Sequence, residues 1–374
     1  MLENISDVNW GNLTHAYGSA KDIPQQIYKL TSKDEKIWWA FFGKLSNYIL
    51  YRDKYIFEAT SYTVPFLIEL LKDNNTLNRE NILELLAGIS NGTSYKAVYQ
   101  YPPIKNKIVL TEEAHQELEQ EIEWSKKAKE AVYQGVPIYY QLLDDSDFSV
   151  REAAIYTLAS VKWLDAEIRT KLRNRMLHET CSLIRTNLII ALGIQRDKHK
   201  QTVEFLNHCV NQNHEPLIQL AAAIALVHIQ SGNVSNQTIR VLIDAIKDPD
   251  RVCAYDNLLF ASIDIIHDIS WLLCCLTKEL ATQSLPLLLE AFRKTQNALA
   301  AIELSRTILM ITFHKQCIPT GTHFHMLTEE QQETLRCIAE NEVAWKFSVN
   351  MAEVLRDFRL PSDYQNFCRF IKGK

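Results

Sequence analysis

The chain has 374 residues, 47% of them hydrophobic and 23% charged, with a net charge of −5. That length exceeds the size at which one compact core keeps growing, so the chain is either two domains or one elongated array. The negative balance weighs against a dedicated nucleic-acid binder, which displays a basic excess, and no apolar run reaches the ~18 residues that cross a bilayer.

Ten Gly and ten Pro leave little room for the tight turns that short strands need, which favours helices. The opening MLENISDVNWGNLTHAYGSA lacks the basic start and apolar stretch of a secretory signal. The eight cysteines, Cys181, Cys209, Cys253, Cys274, Cys275, Cys317, Cys337 and Cys368, form no CxxC pair and sit mostly in apolar helical stretches. A reduced cytoplasmic chain that uses cysteine as a small core residue is the expectation.

In chain order, an N-terminal block (1–92) is expected to hold helices near Pro24–Leu30, Lys36–Tyr48, Val64–Leu71 and Asn78–Ile89. The aromatic run Trp38, Trp39, Phe41 and Phe42 reads as core of its first pair. Residues 93–133 are an insertion: a loop over 93–110, where Pro102-Pro103 forbids a helix, then a long charged helix, Glu112–Tyr133, capped by Thr111. Regular helix pairs are expected over 134–313, with helices near Trp271–Leu280, Leu285–Thr295 and Leu299–Phe313 closing the series. A loop at 314–327 and terminal helices Glu329–Ala339 and Val343–Phe358 complete a capping segment, 314–374.

Internal periodicity is the strongest signal. Segments starting at Val150, Ile184, Ile218 and Val252 align without gaps, each 34 residues after the last, with apolar residues at i, i+4 and i+8. Asp256 interrupts the fourth copy. Second helices are expected between the copies, near Asp165–Leu177, His199–Val210 and Ser235–Ile246. Prolines at Pro24, Pro65, Pro137 and Pro286 read as helix openers, because a first-turn residue needs no N–H partner. After Pro137 comes an acidic turn, Asp144 to Asp147, and then Val150-Arg151 at a helix start. A 34-residue period also fits tetratricopeptide repeats, but their Trp/Leu/Gly/Tyr signature is missing, and the proline-opened helix, acidic turn and Val-Arg fit HEAT-like repeats.

Trp10…His15-Ala-Tyr-Gly-Ser-Ala20-Lys-Asp-Ile-Pro24, Glu58-Ala-Thr60…Val64-Pro-Phe-Leu67…Leu70-Leu71, Asn81 to Gly88, and Leu327-Thr…Trp345…Asn350-Met…Leu355-Arg…Leu360-Pro361 together resemble a family of bacterial HEAT-repeat proteins. The similarity runs over most of the chain. It implies an armadillo-type superhelix, and such families usually carry no assigned activity. Tyr48-Ile-Leu-Tyr-Arg-Asp53 departs from the pattern, standing where a more polar turn with His, Gln and Gly would be expected. The fold expected is therefore all-α, a right-handed α-solenoid of HEAT-like helix pairs.

Candidate chemistry is thin. His323 and His325, with His314 and Cys317, lack the regular four-ligand spacing of a zinc site and read as solvated loop residues. Asp264, His267 and Asp268 share one helix turn, but no nucleophile or Gly-rich phosphate loop accompanies them. Lys162, Arg169, Lys171, Arg173 and Arg175 cluster, yet residues 150–270 balance their charges, so the cluster reads as a solvated face. Arg151 and Arg185 recur at one repeat position and are expected to pair with acids of adjacent turns.

The second helices of the central repeats are apolar almost all round, which an ordinary solvated face is not. Ile155, Ile189, Ile190, Ile224 and Leu258 fall at related positions on the side away from the Val150/Ala154/Leu158 stripe. They are expected to be covered, either by the chain itself or by a partner in an apolar groove, with Arg151, Glu152 and Tyr156 as the polar rim. The function expected is a non-catalytic protein-binding scaffold or adaptor, with no cofactor or metal, an immunity-type inhibitor of a partner protein being one setting. The rival is a nucleic-acid enzyme like the HEAT-built DNA glycosylases; a third reading, a lyase or chaperone for a tetrapyrrole, has no residue in its favour. The oligomeric state is open.

Overall fold

The computed structural model describes residues 2–96, 111–161, 165–212 and 214–373. The Pro102-Pro103 loop and Lys162 lie outside the described residues. Helices dominate, and the only paired strands among the described residues are two two-residue hairpins, β1 (Thr14–His15) with β2 (Gly18–Ser19) and β3 (Leu50–Tyr51) with β4 (Tyr55–Ile56). The chain is an all-α solenoid of helix pairs, packed as two compact units, Met1–Glu179 and Thr180–Lys374.

The first unit holds α1 (Ile23–Lys29), α2 (Glu35–Ile49), α3 (Glu58–Leu71), α4 (Arg79–Asn91), α5 (Glu112–Tyr133), α6 (Val136–Leu142), α7 (Phe148–Ser160) and α8 (Ala166–His178). The helix starts are written in side chains. Asp34, Thr111, Asp147 and Asp165 each accept a main-chain N–H of the helix they open. The long α5 begins with Glu112 and Glu113 on its positive end, as its charge pattern predicts. It packs on α3 and α4, while α7 packs on α4 and α6.

The acidic turn between α6 and α7 ties this unit together. Asp145 takes both Nη atoms of Arg79 at the start of α4, at 2.8 and 3.2 Å, with both side chains about nine-tenths buried. Asp144 takes Nε of Arg175 on α8 at 3.2 Å, and the same guanidinium reaches the buried Glu179 at 2.7 Å. Asp147 caps α7, and Arg151 bonds the carbonyls of Asp145 and Ser146 at 2.7 and 3.0 Å. Arg151 thus serves main-chain oxygens, not the carboxylate expected for it, because Arg79 already occupies Asp145.

The second unit holds α9 (Ser182–Ile194), α10 (Lys200–Asn211), α11 (Pro216–Ile229), α12 (Asn236–Lys247), α13 (Ile265–Cys274), α14 (Lys278–Lys294), α15 (Ala298–Thr312), α16 (Glu329–Glu340), α17 (Ser348–Asp357) and α18 (Tyr364–Ile371). The 34-residue period survives in the starts of α7, α9 and α11, at 148, 182 and 216. Its fourth copy does not form an α-helix. Residues Pro249–Asn257 wind as 3-10 helix with Val252 at φ −126°, and the Asp256 carboxylate instead accepts the N–H of Ile265 at 2.9 Å. Tyr255 reaches Asp268 at 3.1 Å, so the polar residues of this copy fold it back onto the start of α13, six residues before the expected Trp271.

Two further expectations change. Pro24 and Pro137 open helices, but Pro65 and Pro286 lie inside α3 and α14. Both prolines are solvent-exposed, so the carbonyl each leaves without its helical partner, four residues earlier, is on the wetter side of the helix, where the loss is tolerated. The tail carries one more helix than expected, α18, and Val343–Phe358 divides into a 3-10 turn, Glu342–Trp345, and α17.

The apolar groove is closed by the chain itself. Ile155, Ile189, Ile190, Ile224 and Leu258 are each at most 4% exposed. The reason is clear for α11, which packs on α9, α10, α12, α13 and the 3-10 turn and so buries every side. Gly193 lets α9 and α11 approach closely: a Cβ there would stand 2.5 Å from the Cα of Ala225.

Ile190→Asp places a charge at a buried site and removes roughly 1.5–3 kcal/mol of apolar burial, so thermal denaturation should show a large loss of stability or no folded protein. A near-wild-type melting temperature would return Ile190 to the surface. Asp145→Ala leaves Arg79 buried without its acid, an effect worth about 3–5 kcal/mol, and urea denaturation should show it. A loss below about 1 kcal/mol would mean that solvent reaches the pair.

Candidate partner-binding face

Several N-terminal residues, His15, Tyr17, Asp22 and Glu58, come together at one place. The β1–β2 hairpin carries His15 and Tyr17, and Gly18 at φ 125° supplies the turn that returns the chain. Nδ1 of His15 accepts the N–H of Tyr17 at 3.0 Å, which assigns the proton to Nε2, and Nε2 donates to Asp22 at 3.2 Å. The imidazole stacks flat on Tyr48 of α2, centroids 4.1 Å apart and planes within 4°. Burial, and then the Asp22 carboxylate beside it, push the Tyr48 hydroxyl above its ordinary pKa. Glu58 at the start of α3 binds Thr14 through both N–H and hydroxyl, at 3.1 and 3.0 Å, and fixes the hairpin from below.

Around this anchor the first helix pair shows aromatic rings to solvent. Tyr17, at the hairpin tip, is 63% exposed and contacts the rings of Tyr48 and Tyr51. On α2, Trp38 is fully buried as expected for core, but Trp39 points outward at 48% exposure, and Phe41 and Phe42 are only half-buried. Helical geometry explains it: adjacent residues lie about 100° apart, so Trp38 and Trp39 cannot both face the core. Lys29 and Lys44 flank the Phe41 ring at 5.9 and 5.7 Å, and Arg52 covers Tyr51 at 5.2 Å. Seven Lys or Arg stand against four Asp or Glu between Tyr17 and Lys54, a basic stretch in an acidic chain. A sign of this face stands in the sequence as Tyr48, Tyr51 and Arg52 close together.

On α7, Arg151, Glu152 and Tyr156, expected as a polar rim, are half-buried. Glu152 and Tyr156 face Glu84 of α4. Burial raises the Glu84 carboxyl above its usual range, and the charges of Glu80 and Glu152 add to the effect. Burial and Glu84 likewise raise the Tyr156 phenol.

The other candidates have structural partners. Asp264 caps α13 through the His267 N–H at 2.8 Å, His267 lies 3.6 Å from Glu303, and Asp268 binds Tyr255 and Ser262. Of the basic cluster, Arg175 is in its ion pairs, Arg173 is buried, and Lys171 lies over the Tyr140 ring at 5.6 Å. His323 and His325 stack 5.7 Å apart. Among the described residues no group of three His, Cys, Asp or Glu is placed to hold a metal ion. None of the eight cysteines is in a disulfide; Cys209, Cys274 and Cys337 are buried, and burial pushes each thiol up to about 11.

Among the described residues no helix is long and apolar enough to cross a membrane. No family model matches the chain, and no curated protein matches its sequence. Among solved structures, the chain is similar to a designed armadillo repeat protein, with 17% identity over 77% of this chain and 99% of that one, at a TM-score of 0.31. It is also similar to an engineered protein, with 15% identity over 94% and 98% of the two chains, again at a TM-score of 0.31.

A carboxyl whose pKa is raised by folding costs stability above its folded pKa, and the cost disappears as the pH falls below its unfolded value. Glu84→Gln should therefore raise the melting temperature at pH 7.5, with the gain shrinking towards pH 4. A gain equal at both pH values, or a loss at pH 7.5, would show that Glu84 is not held in its charged form at a cost.

Proposed function

We propose that this chain is a non-catalytic protein-binding scaffold of HEAT-like repeats that grips a partner protein by the aromatic face of its first helix pair. The supporting observation is that face itself: Tyr17, Tyr48, Tyr51 and Arg52 in one region, of the residue types that dominate binding hot spots. The His15–Asp22–Tyr48 network and the Glu58–Thr14 bonds hold the rings before a partner arrives, which lowers the ordering cost of binding. Its basic surroundings suit an acidic protein surface, and inhibition of one such partner is the immunity-type form of this reading. Glu152 and Tyr156 are proposed as further contacts on α7. The absence of disulfides among the cysteines supports a reducing compartment such as the cytoplasm. Lysines beside an aromatic ring would also suit nucleic acid, and the test separates the two.

The variant Tyr17→Ser alters only an exposed ring, so it should fold like the parent. Nuclease-treated extract of the source organism, captured on the parent, on this variant and on Ile263→Ser as an exposed-residue control, should yield a protein that the parent and control hold and the variant loses by tenfold or more. Equal capture by all three, or a ligand that nuclease removes, would overturn the proposal.

A further inference from the structure

The second unit contains a cavity of about 230 Å³ lined by Cys274, Leu276, Lys278, Met310, His314 and Lys315. Two sulfur atoms meet there: Sγ of Cys274, at the end of α13, stands 3.8 Å from Sδ of Met310 on α15. His314 follows Met310 by four residues, just past the end of α15, where its φ of 51° turns the chain sharply. We infer that this thiol, thioether and imidazole form a binding site for a soft monovalent metal ion, of the class of Cu(I) or Ag(I).

The geometry suits one ion between the sulfurs. Two sulfurs 3.8 Å apart can each lie about 2.3 Å from a single ion, an ordinary metal–thiolate distance, with an S–metal–S angle of roughly 110°. The donors select by softness. Thiolate and thioether prefer Cu(I), and imidazole accepts it, whereas Ca(II) or Mg(II) needs oxygen ligands that this cavity does not offer.

Charge selects as well. Binding replaces the thiol proton, which leaves to water as the S–metal bond forms, so a monovalent ion on one thiolate is neutral overall. Lys315 and Glu303 both act on the Cys274 sulfur with opposite sign, while Lys278, on the same cavity wall, disfavours the surplus charge of a divalent ion. The methionine is what carries the site beyond a buried cysteine.

The exposed thiols Cys253, Cys275 and Cys317 would bind the same ions, so the test begins from a full-length background in which all three are serine. In chloride-free buffer, Ag(I) titration followed by native mass spectrometry should load one equivalent on this background and none once Cys274→Ser is added. Met310→Leu keeps the volume of the side chain and the thiol of Cys274, and melting temperature checks that it folds. It should weaken Ag(I) at Cys274 by tenfold or more in competition with a chelating dye, and His314→Ala should weaken it in the same direction. Equal Ag(I) affinity in the parent background and in Met310→Leu would reduce the site to a simple thiol and overturn the inference, as would an equivalent that still loads on Cys274→Ser.

Discussion

A buried carboxylate is tolerable only where its charge and its lone pairs are both answered, and Asp145 meets that demand with a forked guanidinium and a main-chain N–H. Much of the first unit is arranged around that answer. Arg79 fixes where α4 begins, Arg175 brings α8 against the same turn, and Arg151 holds the turn's own carbonyls. A stack of helix pairs has no sheet to set its register, so the turns must do it. Here four consecutive positions, 144 to 147, bind three different helices. The apolar side chains then pack with the helix starts already fixed.

The second unit solves the same problem with shape. Gly193 and Ala225 let the backbones of α9 and α11 come close, and β-branched and leucine side chains fill what remains. There is little directional bonding in that contact, and none is needed when a helix is enclosed on every side. Where the apolar pattern lapses, polar bonds reappear: Asp256, Tyr255, Asp268 and Ser262 organise the turn that replaces a regular repeat.

Most of the fold was legible because a helix pair writes its period directly into the chain. The starts at 148, 182 and 216, the cap at Thr111 and the dipole-matched α5 are local facts that any sequence window contains. What escaped was non-local. Val252 looks like the next helix, yet whether Asp256 stays in a helix depends on the N–H of Ile265, nine residues on. Pro65 looks like a helix start, because only the tertiary structure says that its side of α3 faces water. The apolar faces of α9 and α11 read as uncovered because their neighbours lie elsewhere in sequence. The exposed aromatic face was harder still: composition marks Trp38 and Trp39 alike, and only packing on α1 and α3 decides which of them turns inward.

The enclosure of α11 also has a cost in time. Leu220 to Val227 contains no charged residue, and in the finished protein it touches helices on both sides of itself in sequence. A ribosome delivers those helices in order. When α11 emerges, α9 and α10 are already made, but α12 and α13 are not, and α13 ends only at Cys274. For the synthesis of roughly 45 residues, a few seconds at ordinary elongation rates, one side of an apolar helix lacks its cover. This stretch is therefore the segment of the nascent chain most in need of a chaperone, and the one whose premature release would favour aggregation.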